Sequence, residues 1–219
     1  ITMRARVIVY SKERAGKNLP KTYEDLADSQ WKGRVLIRSS SNAYNQSLLA
    51  SILAAEGRDA ALAWAKGVTA NMARPPQGND RDQVRSVALG LGELAVVNTY
   101  YLGLLENADD PKDRAARAAV GVIFPNQSGR GAHVNVSGAG IVKGAKNRTH
   151  AVALLEFLTS KKIQATYQNM TSVFAVAEGI KPDPLQEKWG TFKPDLTSLH
   201  ELAGHQEEAV KIFDLAGWK

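Results

Sequence analysis

Two adjacent tyrosines, Tyr100 and Tyr101, follow the apolar stretch Leu94-Ala95-Val96-Val97-Asn98 directly. Within a strand, successive side chains point to opposite faces, so neighbouring tyrosines share a site only where the strand has ended. If Asn98 and Thr99 form the turn, the pair opens a helix. Neighbours on its first turn stand about 100° apart, and their hydroxyls can converge. A helix N-terminus also favours negative charge, which helps a phenolate form. Taken alone, the dipeptide reads more readily as two ordinary half-buried tyrosines at a strand–helix junction. Tyr44 repeats the arrangement: a strand, the polar segment Ser39-Ser40-Ser41-Asn42-Ala43, then a helix. Three of the six tyrosines thus occupy two equivalent loop-to-helix positions. Phenolate is a hard anionic oxygen donor whose pKa falls on metal binding, and three of them would neutralise a trivalent cation such as Fe³⁺.

The elements that must position these residues follow from periodicity. Strands are expected over 6–11, 34–38, 94–98 and 120–124, with one or two more within 133–142. Helices are expected over 22–27, capped by Thr22, over 44–55, stopped by Gly57, and over 59–66. Asp80 and Gln83 have capping-box spacing before the periodic Val84, Val87, Ala88 and Leu91. Residues 107–117 read as loop or short helix, and 126–131 as a polar loop. A strongly amphipathic helix over 149–160 carries Val152, Leu155, Phe157 and Leu158, and a helical tail over 196–216 stops at Gly217. Alternating strands and helices predict an α/β fold with a mainly parallel or mixed sheet covered on both faces. Ligands of such sheets sit beyond the carboxyl ends of the strands, which directs attention to 39–44, 98–101 and 126–131.

Composition narrows the chemistry. The 219 residues are 44% hydrophobic and 23% charged, as in ordinary globular proteins, and no apolar run is long enough to span a membrane. With no cysteine, thiolate metal sites, disulfides and cysteine nucleophiles are excluded. The net charge of +6 favours an anionic partner, yet no tight Lys/Arg run with interleaved aromatics marks a nucleic-acid surface. His133, His150, His200 and His205 include no i, i+4 pair for a helical metal site and are expected to be structural or solvent-facing. No Gly-x-Ser-x-Gly elbow accompanies Ser39–Ser41, and Asn79, Asp80 and Asp82 lack EF-hand spacing, so helix capping accounts for them better. The opening Ile1-Thr2-Met3-Arg4-Ala5-Arg6 reads as the middle of a strand and not as a signal peptide.

The sequence resembles the ferric-iron-binding proteins of bacterial iron ABC importers, in particular their cyanobacterial-type branch. The resemblance rests on Arg4-Ala5-Arg6-Val7-Ile8-Val9-Tyr10, Trp31-Lys32-Gly33-Arg34, Ser41-Asn42-Ala43-Tyr44-Asn45-Gln46, Gln77-Gly78-Asn79-Asp80-Arg81-Asp82-Gln83 and Asn98-Thr99-Tyr100-Tyr101. Val136-Ser137-Gly138-Ala139-Gly140 and Leu215-Ala216-Gly217 add to it. It implies that Tyr100 and Tyr101 are the paired iron ligands and that Tyr44 is the additional tyrosine ligand of this branch. It further implies that Arg4 neutralises phenolates or a synergistic anion such as carbonate or phosphate, and that Ser41 and Asn98 line the anion pocket.

By the same resemblance the fold is periplasmic-binding-protein-like, type II, with two lobes and a hinge. Residues 1–130 would form mostly the C-terminal lobe, 131–180 a returning segment of the N-terminal lobe, and 181–219 a closing segment with a helix on the C-terminal lobe. The lobes would be joined by crossings near residues 4–6 and 131–133. The first part of the N-terminal lobe, with a His and a Tyr that complete the site in relatives, is expected to be absent. The implied protein is a periplasmic monomer and no enzyme. It would deliver Fe³⁺ to an inner-membrane ABC permease, with no nucleic-acid partner and no membrane insertion. The competing expectation is the same fold binding another solute, a small anion or a polyamine.

Overall fold

The β-branched run Val7-Ile8-Val9 lies at the centre of the longest strand, β1 (Thr2–Ser11), and all three side chains are fully buried. The computed structural model describes all 219 residues. After β1 the chain forms two short 3₁₀ turns, β2 (Val35–Leu36), α1 (Ala43–Glu56), α2 (Arg58–Asn71), α3 (Asp80–Ala88) and β3 (Leu94–Asn98). Then come α4 (Thr99–Glu106), α5 (Pro111–Ala118), β4 (Val120–Ile123), β5 (Val134–Ser137), α6 (Arg148–Thr159), α7 (Lys161–Thr171) and β6 (Phe174–Ala175). The chain closes with α8 (Pro184–Trp189), α9 (Leu199–Gly204) and α10 (Gln206–Leu215).

Strand β1 organises the sheet. From Arg6↔Asn98 to Tyr10↔Leu94 it runs antiparallel to β3, and from Ile8↔Ile123 to Ser11↔Val120 antiparallel to β4. Its first residues pair instead with β5, from Thr2↔Ser137 to Ala5↔Val134, and with β6 at Thr2 and Met3. A single strand therefore leaves one set of partners at Ala5 and takes up another at Arg6. The sheet is mixed, as expected, but its parallel share is small: β2 and β3 are the parallel pair of strands. Alternation of strands and helices implies parallel pairing only when each crossover returns the chain in the same direction. Here the other partners all run against the central strand.

The two faces of the sheet follow the two-residue period. Ile8, Leu94 and Val96 enter a core of 23 residues shared with Leu48, Leu49 and Ile52 of α1, Trp64 of α2, and Phe213 and Trp218 at the chain's end. Trp218 packs on Phe213 at 4.8 Å and on Trp64 at 5.9 Å between ring centroids. Val7, Val9, Ala95 and Val97 enter a second core of 12 residues with Val84 and Val87 of α3, Leu102 and Leu105 of α4, and Trp189 of α8. Each such aliphatic side chain contributes about 1.5–3 kcal/mol on full burial. Together the cores fix α1 and α4 rigidly against opposite faces of one sheet.

Several boundaries differ from expectation. The strand expected over 34–38 shrinks to Val35–Leu36, because the Arg38 carbonyl accepts from Asn45 Nδ2 and Trp218 Nε1 and so leaves the ladder. Gly57, at φ 81°, ends α1 as expected and also starts α2, which runs on to Asn71. Thr22 and Asp25 exchange side-chain bonds with each other's backbone N–H, but only a 3₁₀ turn, Glu24–Ala27, follows. The capping box of α3 is Asn79 with Asp82, one residue earlier than the Asp80/Gln83 spacing indicated, which frees Asp80 for another role. Helix α6 forms where its periodicity places it, yet buries none of its residues, and Phe157 is 57% exposed.

Candidate metal centre

Helices α1 and α4 each begin within a few residues of a strand's carboxyl end, and each sets a tyrosine at its second position. Asn98 is extended (ψ 143°), and the helix starts at Thr99, so Tyr100 and Tyr101 fall on the first turn. The Thr99 hydroxyl accepts the Ala5 N–H at 3.2 Å, which ties this turn to β1. Asn42 is likewise extended (ψ 122°), and Ala43 and Tyr44 open α1. The rings of Tyr100 and Tyr101 lie 4.0 Å apart, tilted by 32°. Burial holds the Tyr100 phenol above the ordinary tyrosine range, and the neighbouring phenols of Tyr101 and Tyr44 raise it further. The structure gathers the three tyrosines in one region, Tyr101 against Tyr100 and Tyr44 across the cleft from them. Tyr44 and Tyr100 also face a cleft of about 420 Å³, whose walls include Arg4, Ser137, Tyr167 and Met170.

The surroundings are cationic. The Arg4 guanidinium lies 5.5 Å from the Tyr44 ring centroid, and that of Arg6 lies 6.0 Å from it. Arg4 Nη1 donates to Ser137 Oγ at 2.6 Å. Such a cationic surround offsets the charge of metal-bound phenolates or attracts a small anion, and two helix N-termini act in the same direction. No cluster of three His, Cys, Asp or Glu side chains exists anywhere in the chain. The acid beneath the tyrosines, Asp80, is fully buried and committed: Oδ2 accepts from Arg6 Nη1 and the Asn98 N–H, both at 2.7 Å, and Oδ1 from Arg38 Nη1 at 3.1 Å. Phenols are thus the anionic donors free to meet a cation here. Phenolate oxygens suit hard, highly charged cations.

Of the other expected site residues, Arg4 reaches the cleft. Asn98 is wholly buried behind it, with its backbone N–H on Asp80 and its side-chain Oδ1 3.5 Å from Arg6 Nη1. Ser41 is not brought to the cleft. Its side chain is exposed and engages Ser39 Oγ at 2.9 Å within the turn that precedes α1. Sequence reasoning passed over Tyr167 and Met170, which sit in an ordinary-looking helical pattern. It also passed over the buried Arg6–Asp80–Arg38 cluster. Its one legible sign was an arginine inside an otherwise apolar strand.

Residues 1–192 match the family of bacterial extracellular solute-binding proteins. Iron uptake protein A1 of Synechocystis sp. is 50% identical over 218 residues, which is 100% of this chain and 61% of that protein. Iron uptake protein A2 of the same organism is 40% identical, again over 100% of this chain and 64% of that protein. The chain thus spans less than two thirds of the length of these relatives. A solved structure of IdiA (FutA) from Trichodesmium, in complex with iron and citrate ligands, superposes with a TM-score of 0.96 at 43% identity. It is covered over 69% of its length, and this chain over 100%. The fold is accordingly that of type II periplasmic binding proteins.

Proposed function

The chain belongs to the bacterial extracellular solute-binding protein family, and on that premise we propose that it captures ferric iron for delivery to an ABC-type importer. The observation that supports this reading is the gathering of three tyrosines, Tyr44, Tyr100 and Tyr101, on two helix N-termini beside one cleft, with no competing acid or imidazole cluster. An amine binder needs carboxylates at such a point, and a simple anion binder needs donors without phenolate charge. A trivalent hard cation is matched by three phenolates. The relatives named for iron uptake, and the related structure holding iron and citrate, agree with this choice.

In the mechanism, each phenol gives up its proton as it meets Fe³⁺, and the oxygens share the metal. Arg4 stands at the edge of the cleft, where it offsets phenolate charge or holds a small carboxylate, carbonate or phosphate that completes the coordination sphere. Residues 1–130 act mostly as the C-terminal lobe, residues 131–180 belong to the N-terminal lobe, and residues 181–219 close back on the first. Support comes from β1, which changes partners between Ala5 and Arg6, and from α10, which packs on α1 and α2. Closure about the paired strands β1 and β5 clamps the metal, and the closed form docks on an inner-membrane permease. The site of action is the periplasm, the protein is a monomer, and no reaction is catalysed.

Ferric phenolate complexes absorb visible light by charge transfer from ligand to metal. Protein mixed with Fe³⁺ supplied as a weak chelate should turn orange to red, and Tyr44→Phe, Tyr100→Phe and Tyr101→Phe should each weaken the band. A colourless wild-type protein that takes up no iron sinks the reading.

A further inference from the structure

Asp80 lies beneath the tyrosines at the start of α3, and no part of it reaches solvent. Helix capping does not account for it, because Asn79 and Asp82 already form the box. Stability does not account for it either: burying an ion pair brings little net gain over apolar packing. Its contacts form a ring. Asp80 Oδ2 holds Arg6 Nη1 at 2.7 Å, Arg6 Nη2 donates to Asn45 Oδ1 at 2.6 Å, and Asn45 Nδ2 donates to the carbonyls of Arg38 at 2.9 Å and Ser39 at 3.1 Å. Arg38 Nη1 returns to Asp80 Oδ1 at 3.1 Å. Asp80 Oδ2 also takes the Asn98 N–H at 2.7 Å.

The ring joins the two ends of the site. Asn45 follows Tyr44 in the first turn of α1, and Asn98 is the residue from which α4 and its two tyrosines spring. These helices pack on opposite faces of the sheet and have few apolar contacts with each other to set their spacing. We infer that Asp80 is a positioning residue for metal capture, fixing Tyr44 against Tyr100 and Tyr101 without touching the metal itself. The inference rests on the iron reading above and extends it.

Asp80→Asn keeps an oxygen acceptor and removes the charge that holds both arginines. Outer residues that orient metal ligands typically change affinity by about 10- to 100-fold, and a ferric affinity loss of that size is expected here, with the visible band shifted or weakened. A metal-free readout accompanies it: in protein carrying ¹³C-labelled tyrosine, the ring resonances of Tyr44 and Tyr100 should move while that of Tyr10, at the far end of β1, stays. Asn45→Ala cuts the ring on the Tyr44 side while leaving the ion pair in place, and decides the matter if Asp80→Asn does not fold. Folded variants with unmoved Tyr44 and Tyr100 resonances, and with wild-type affinity, overturn the inference. A wild-type protein without the visible band overturns the iron reading instead, and the resonances then decide the role of Asp80 alone.

Discussion

The Tyr23 hydroxyl accepts the backbone N–H of His133 at 3.0 Å, and its own proton goes to the Arg6 carbonyl at 2.5 Å. One buried phenol thereby bolts together the two strand segments, β1 and the approach to β5, at the point where β1 exchanges partners. Burial holds this phenol protonated far above the ordinary tyrosine range. Tyr23→Phe leaves the ring in place and strips two buried backbone groups of a partner. It should lower stability by about 1–3 kcal/mol. Urea unfolding of the two proteins checks this, and equal midpoints would show that the bolt is not needed.

His133 supplies a pH dependence. Desolvation lowers its pKa to about 4 from the ordinary 6.5. Asn135 Nδ2 donates to Ser47 Oγ at 3.0 Å, which leaves the Ser47 proton for Nε2 of a neutral ring at 2.9 Å. Between pH 6.5 and 4 the unfolded chain binds a proton that the folded one refuses. Stability from this group is complete above pH 6.5 and declines as pH falls toward 4, by on the order of 3 kcal/mol in all. Denaturant midpoints measured across this window should drop with pH, and His133→Gln should flatten the slope.

Gly103 governs how α4 meets the end of α7. A Cβ at this position would overlap the Ser172 side chain, which sits at φ 56° in the left-handed turn that ends α7. Gly103→Ala should therefore destabilise the fold by about 1–3 kcal/mol. Because α4 carries both tyrosines, it should also weaken the ferric band. Ser172→Gly in the same chain should recover part of both losses.

Ferric binding should release protons, since a phenol must lose its proton to become a ligand. Each ligand phenol still protonated at the working pH adds one proton to that release, so the pH dependence steepens with the number of tyrosine ligands. Binding should weaken as pH falls. Tyr44→Phe should release fewer protons per iron in a pH-stat titration and show a shallower pH dependence. An unchanged proton count in this variant would place Tyr44 outside the ligand set.

The local pattern of residues announced much of this protein. The unbroken apolar runs Val7-Ile8-Val9 and Leu94-Ala95-Val96-Val97 mark strands buried on both faces, and Gly57 and Gly217 mark helix ends where φ is positive. The tyrosine positions were legible for the same reason: a strand that stops and a helix that starts are local events. Sheet direction, the committed contacts of Asp80, the exposure of Ser41 and the bare surface of α6 were not. Arg6 and Asp80 are 74 residues apart, and Tyr23 and His133 are 110 apart, so no spacing in the chain encodes their meeting. Sequence decided which side chains stand at the first turn of each helix. Only packing of α1 and α4 on opposite faces of one sheet decided that Tyr44 and Tyr100 line the same cleft.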